Sequence, residues 1–74
     1  MKVGDRVWFA YAGADLSQQG FGRIIRIYHT PNTSYDVVKD GDTNDGYPFY
    51  IEPEWDDVIV PEQLYKSKLY KVLA

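Results

Sequence analysis

The sequence predicts an all-β fold: a small five-stranded barrel with a one-turn helix before the last strand. Three observations carry this expectation. Period-two alternation of apolar and polar residues recurs along the chain, whereas helical spacing is hard to find. Val, Ile, Tyr, Phe and Trp are common, while Ala, Leu and Glu are sparse. The chain has 74 residues, so an all-β reading needs closure to hide its sheet edges. It reads as a single domain over 1–74. A chain of this size buries only ~60% of the surface its unfolded form exposes. With no Cys there is no disulfide framework, thiolate metal site or cysteine nucleophile. The core must come from side chains alone, and 45% apolar residues with 16% aromatics supply one, which argues against disorder.

The elements follow in order. Asp5 to Tyr11 reads as the first strand, with Val7, Phe9 and Tyr11 on one side and Arg6, Trp8 and Ala10 on the other. Residues 12–20 read as a loop. Phe21 to Tyr28 is the second strand, with Ile25 and Ile27 inward; Gly20 and Gly22 suggest a bulge or barrel corner around Phe21. His29 to Thr33 is a turn, since Pro31 lacks a donor and Asn32 tolerates left-handed geometry. Ser34 to Lys39 is the third strand, with Tyr35 and Val37 sharing a face. Residues 40–46 form the clearest loop. Tyr47 to Ile51 extends a hairpin arm, with Pro48 favouring an edge. Glu54 to Val60 contains the fourth main strand, centred on Val58-Ile59-Val60. Pro61 to Tyr65 suits one helical turn, and Lys66 to Leu73 reads as the fifth strand. Two helical turns from Pro61 onward are the alternative there, because Glu, Gln, Leu and Lys form helices well.

Charge is uneven. Eleven acids against eight bases give a net −3, which argues against a generic nucleic-acid binder. From Asp36 to Glu62, however, nine acids face Lys39 alone and give −8. Outside that window seven bases face Asp5 and Asp15 and give +5. A solvated acidic loop explains such a segment; so does an acidic face that meets a basic partner.

Four stretches carry a resemblance: Gly4-Asp5-Arg6-Val7-Trp8-Phe9, Gly20-Phe21-Gly22-Arg23-Ile24-Ile25, Tyr35-Asp36-Val37-Val38, and Asp57-Val58-Ile59-Val60-Pro61-Glu62-Gln63-Leu64. Over roughly residues 3–72 the chain resembles an SH3-like barrel of the KOW and Tudor type, with its "G-D-x-V" opening strand, glycine-flanked second strand and "Y-x-V" third strand. The resemblance implies the fold more than the function. KOW modules usually carry basic loops for RNA or protein contact, whereas the late loops here are acidic. Tudor modules use an aromatic cage for methylated Lys or Arg. Trp8, Tyr28, Tyr35, Tyr50 and Trp55 could supply one, or could instead fill a small core.

Enzymatic chemistry is not expected. The lone His29 sits in a turn, no Ser lies in a nucleophile elbow, and paired carboxylates need a pocket that so small a barrel rarely encloses. Asp40, Asp42 and Asn44 match the first three ligand positions of a calcium loop. Asp45 stands where Gly is required and Ile51 where Glu is required, so no metal is assigned. No cofactor is expected, since Gly41 and Gly46 sit among acids that would repel phosphate. No apolar run approaches ~20 residues, and no apolar h-region follows Met1-Lys2, so neither a membrane span nor a signal peptide is expected. The expected location is cytoplasmic.

The functional expectation is a non-enzymatic protein-interaction module. Its acidic, aromatic-rich segment 36–62 binds a basic protein surface through Asp40, Asp42, Asp45, Tyr47, Phe49, Tyr50, Glu52, Glu54, Trp55, Asp56 and Asp57. Acids spaced along a hairpin can imitate a row of phosphates, which suits a DNA-mimic inhibitor or modulator of a nucleic-acid-binding protein. The size would suit a phage gene. One alternative is a KOW-like nucleic-acid-binding module using Arg23, Arg26, Lys66, Lys68 and Lys71, with Tyr70 beside them. Another is an accessory structural subunit.

Overall fold

A computed structural model describes residues 1–13, 18–41 and 47–73, the last five of these by backbone alone. Five antiparallel strands, β1 (Arg6–Ala10), β2 (Gln19–Tyr28), β3 (Ser34–Lys39), β4 (Phe49–Ile51) and β5 (Val58–Pro61), form one sheet in the order β4-β3-β2-β1-β5. The fold is all-β in its core, and the sheet curls into a half-barrel. The expected closure is incomplete: β4 and β5 stand at the two ends of the strand order. A one-turn 3₁₀ helix, Pro53–Trp55, precedes the last strand, and α1 (Glu62–Leu73) follows it.

Alternation explains the core. Val7 and Phe9 of β1, Ile24 of β2, Tyr35 and Val37 of β3 and Ile51 of β4 point inward and bury one another. Tyr11, Ile27, Phe49 and Ile59 pack around them. Each fully buried side chain of this kind contributes ~1.5–3 kcal/mol of transfer free energy.

The expected inward pair Ile25 and Ile27 is corrected by a bulge. Pairing of β2 with β3 slips between Ile24 and Arg26. Ile24 and Ile27 therefore face the core, while Ile25 and Arg26 both turn to solvent. The irregularity lies a few residues beyond the Gly20–Gly22 stretch where the sequence suggests it. Gly22 instead permits close strand packing. A Cβ there would lie 2.4 Å from the Val38 carbonyl oxygen and 2.8 Å from Val37 Cγ1. Only glycine lets β2 and β3 approach this closely.

The C-terminal third is also corrected. Residues 53–57 turn, and the strand expected within Glu54 to Val60 and centred on Val58-Ile59-Val60 is found at Val58–Pro61. Pro61 ends that strand instead of opening a helix. The strand expected over Lys66 to Leu73 is instead the body of a three-turn helix, an extended form of the helical alternative the sequence offers from Pro61 onward. Period-two placement of Lys66 and Lys68 misleads here because tertiary packing overrides it. Tyr65 stacks on Trp8 (centroids 4.3 Å apart, 8° between planes) and meets Phe21 edge-on at 5.5 Å. Those contacts hold the helix against the outer face of β1 and β2.

Arg6 adds a polar tie. Its guanidinium donates to both carboxylate oxygens of Asp40 (Nη1–Oδ1 2.7 Å) and to Glu62 Oε1 at 3.1 Å. One side chain thereby links β1, the end of β3 and the start of α1. The two carboxylates raise the Arg6 pKa, and Arg6 holds the Asp40 carboxyl below its ordinary value.

Candidate functional site

The richest candidate surface lies where β4 passes into the 3₁₀ turn. Pro53 sits in the first turn of that helix, where its missing donor costs nothing. Trp55 N donates to Glu52 O (2.9 Å), and Asp56 N to Pro53 O (3.1 Å). Asp56 takes left-handed backbone (φ 69°), which Asp tolerates better than most residues. Asp57 then staples the turn: Oδ2 accepts from Glu52 N (2.9 Å) and Oδ1 from Ala12 N (3.0 Å). The staple rigidly presents the intervening side chains.

Three large aromatics stand in solvent along this edge: Tyr47 (74% exposed), Tyr50 (44%) and Trp55 (70%). Tyr50 is braced from two sides. Its hydroxyl is hydrogen-bonded to buried Ser34 Oγ at 2.9 Å, and its ring meets Tyr28 edge-on at 5.7 Å. Tyr28 in turn donates to Asp36 (2.7 Å). Trp55 has no ring contact among the described residues. Asn32 of the β2–β3 turn donates to Glu54. Between these groups lies an open cavity of about 260 Å³, bounded by Pro31, Asn32, Ser34, Tyr50, Glu52 and Trp55, with Thr33 and Glu54 completing the rim.

The structure sorts the eleven residues expected to meet a protein partner. Tyr47, Tyr50, Glu54, Trp55 and Asp56 are exposed and Glu52 is half-buried; of these, Tyr50, Glu52, Glu54 and Trp55 border one cavity. Phe49 turns inward, 5.2 Å from Phe9 and 5.9 Å from Tyr11 between ring centroids. Asp57 is engaged with backbone amides, and Asp40 is engaged with Arg6. Asp42 and Asp45 lie outside the described residues, as does Asn44 of the calcium-loop comparison. Among the described residues no group of three or more His, Asp or Glu is placed to hold a metal ion. No described helix is long and apolar enough to cross a membrane.

The five aromatics expected to compose a cage do not converge. Trp8 is stacked under α1, Tyr35 belongs to the core, and Tyr28 backs Tyr50; only Tyr50 and Trp55 share a cavity. Of the basic set, Arg23 and Arg26 are exposed on β2, with Arg26 opposite Asp36 in register. Lys66 lies over the Phe21 ring (5.3 Å) and 3.8 Å from Glu62, Lys68 is exposed, and the side chains of Tyr70 and Lys71 lie outside the described set. Sequence reasoning missed Pro31, Asn32 and Ser34 as cavity walls. Pro31 and Asn32 read as turn residues and Ser34 as the start of a strand, and only the return of β4 alongside β3 brings Tyr50 over them.

Burial is the main cause that raises the Tyr11 phenol above its ordinary pKa of 10.0. A hydrogen bond to the Tyr50 backbone pulls it partly back, and the charges of Asp57, Asp36 and Glu52 raise it further.

Fold and site together define a small curled-sheet protein, compatible with an SH3-like fold, that carries an exposed acidic and aromatic edge. Comparison with protein-family models, curated proteins and solved structures returns no match, so this class rests on the residues themselves.

Proposed function

We propose that the chain is a non-enzymatic protein-interaction module whose β4 edge binds a basic surface of a partner protein. The observation that supports it most is the grouping of Tyr50 of β4 with Glu52, Glu54 and Trp55 of the following turn around one cavity, with exposed Tyr47 and Asp56 on either side in the chain. Exposed aromatics provide anchoring area, and carboxylates provide steering and exclude acidic competitors. The acids are not a uniform row. Asp36, Asp40, Asp57 and Glu62 already hold partners within the chain. Glu52 and Asp56 have no hydrogen-bond or ion-pair partner for their carboxylates among the described residues. This favours a localised hot spot over a long imitation of a phosphate backbone, although a modulator of a nucleic-acid-binding protein would present a suitable basic target.

The test is a triple charge reversal, Glu52→Lys, Glu54→Lys and Asp56→Lys, in tagged protein used to capture partners from the native host. Capture of basic proteins by the native chain and its loss in the variant is the expected result. Undiminished capture overturns the proposal.

A second reading, a KOW-like nucleic-acid module, draws on the exposure of Arg23, Arg26 and Lys68. It requires DNA or RNA affinity whose logarithm falls linearly with log salt. No retardation of either nucleic acid at low salt removes it.

A further inference from the structure

We infer that the cavity between the β2–β3 turn and the 3₁₀ helix is a socket for one arginine side chain of the partner protein. This rests on the reading of the β4 edge as a protein-binding face and names the chemistry that the face recognises.

Four features of the cavity select that occupant. Its size comes first: about 260 Å³ suits one long side chain and falls below the ~300–1,000 Å³ usual for small-molecule sites. Its walls are flat and aromatic. Tyr50 is held still by Ser34 and Tyr28, while Trp55, free of ring contacts among the described residues, can stack on an incoming planar group. Its rim is acidic, because Glu52 and Glu54 both border the cavity and no Lys or Arg among the described residues does. The Glu54 carboxylate is steadied by Asn32, and that of Glu52 has no partner among the described residues. Finally, one guanidinium satisfies aromatic face and carboxylate together. It stacks flat on an indole or phenol while its N–H fork reaches a carboxylate in the same plane. A lysine ammonium is a compact, strongly hydrated charge that cannot meet both in this way. The tie between Asn32 and Glu54 also couples the turn before β3 to the turn after β4, so the socket is built from two segments far apart in the chain.

The experiment uses the isotope-labelled full chain and two short glycine peptides, one with a central arginine and one with a central lysine. Binding is followed through the Trp55 indole N–H and the Tyr50 amide in NMR spectra. The arginine peptide is expected to shift both signals saturably and to bind at least ~3-fold more tightly than the lysine peptide. Trp55→Ala and Glu52→Gln are each expected to weaken it ~5-fold or more, the scale of a stacked cation and its ion pair. Asp5→Asn removes a carboxylate that lies before β1 and outside the cavity lining and the β4 edge; it should change affinity less than ~2-fold. The amide signals of Val7 and Phe9 report that each variant is folded. Equal affinity for the two peptides, or equal sensitivity to Asp5→Asn and Glu52→Gln, overturns the socket while leaving the acidic edge as a diffuse docking face. Absence of binding by either peptide also overturns it. The docking face itself fails separately, when the triple charge reversal leaves partner capture intact.

Discussion

The two flanks of the half-barrel use the same residue types in opposite ways. On the α1 side, aromatics close on one another: Trp8 stacks on Tyr65, Phe21 meets Tyr65 edge-on, and Lys66 covers Phe21. The acids there, Asp40 and Glu62, share Arg6. On the β4 side, Tyr47, Tyr50 and Trp55 stand in solvent, and no base among the described residues lines the cavity beside Glu52 and Glu54. Interactions satisfied within the chain hold the fold together, whereas similar groups left open remain available to a partner. Composition alone does not separate the two cases; partners do.

The seam between the flanks is the most sensitive point. Gly22→Ala forces a Cβ into the Val38 carbonyl and should cost about 3 kcal/mol, on the scale of overpacking. It should lower the chemical-denaturation midpoint and weaken both flanks together, because β3 supports β4. A midpoint within experimental scatter of the native value would show that β2 and β3 can separate without penalty.

Tyr65→Ala should act on one flank alone. It removes two ring contacts and the area they bury, at about 2 kcal/mol, or ~10 °C in melting temperature for a domain of this size. Trp55→Ala on the other flank should leave the melting temperature within ~3 °C, since surface changes usually stay within ~0.5 kcal/mol. Comparable losses from both would erase the distinction between satisfied and open aromatics.

Arg6→Gln gives a smaller effect, about 1 kcal/mol at low salt and less at high salt, because the pair with Asp40 is half exposed. Its pH dependence has a definite sign. Arg6 depresses the folded-state pKa of Asp40 below 3.8. That contribution is therefore fully present above about pH 4 and is lost as pH falls through the depressed value. The difference in stability between native and Arg6→Gln protein should shrink on acidification below pH 4; a constant difference would mean that the pair is not the source.

The smallest effect lies at high pH. Tyr11 has its folded-state pKa raised above 10.0 by burial, so folding favours its neutral phenol. Stability should be intact below pH 10 and decline as pH rises above it, and Tyr11→Phe should flatten that decline. A native-like slope in the variant would assign the decline to other tyrosines.

Much of the sheet is legible in short-range pattern. Val7-x-Phe9-x-Tyr11 and Tyr35-x-Val37 alternate as a half-buried strand must, and the structure buries those residues wholly or in part. Pro48 marks the edge strand that β4 becomes. Legibility fails where a distant contact decides. Strict alternation cannot show the slip after Ile24, since a bulge is a property of two strands. Phe49 and Tyr50 look alike as candidate anchors, yet register with β3 sends one inward and the other out. Asp40 and Glu54 look alike as free acids, yet one meets Arg6 from 34 positions away and the other meets Asn32.

By itself, then, the sequence determined an all-β core, the turns between β2 and β3, and the concentration of acids between Asp36 and Glu62. These are local quantities, set by side-chain period, by backbone-restricting residues and by composition. Tertiary structure alone decided that the helical turn legible after Pro61 runs on through Leu73, that the sheet stops at a half-barrel, and that Tyr50, Trp55 and two glutamates surround one cavity. Each of those outcomes depends on which distant surface a segment meets. The energy of such a contact, as in Tyr65 between Trp8 and Phe21, exceeds the few tenths of a kcal/mol by which local propensities differ.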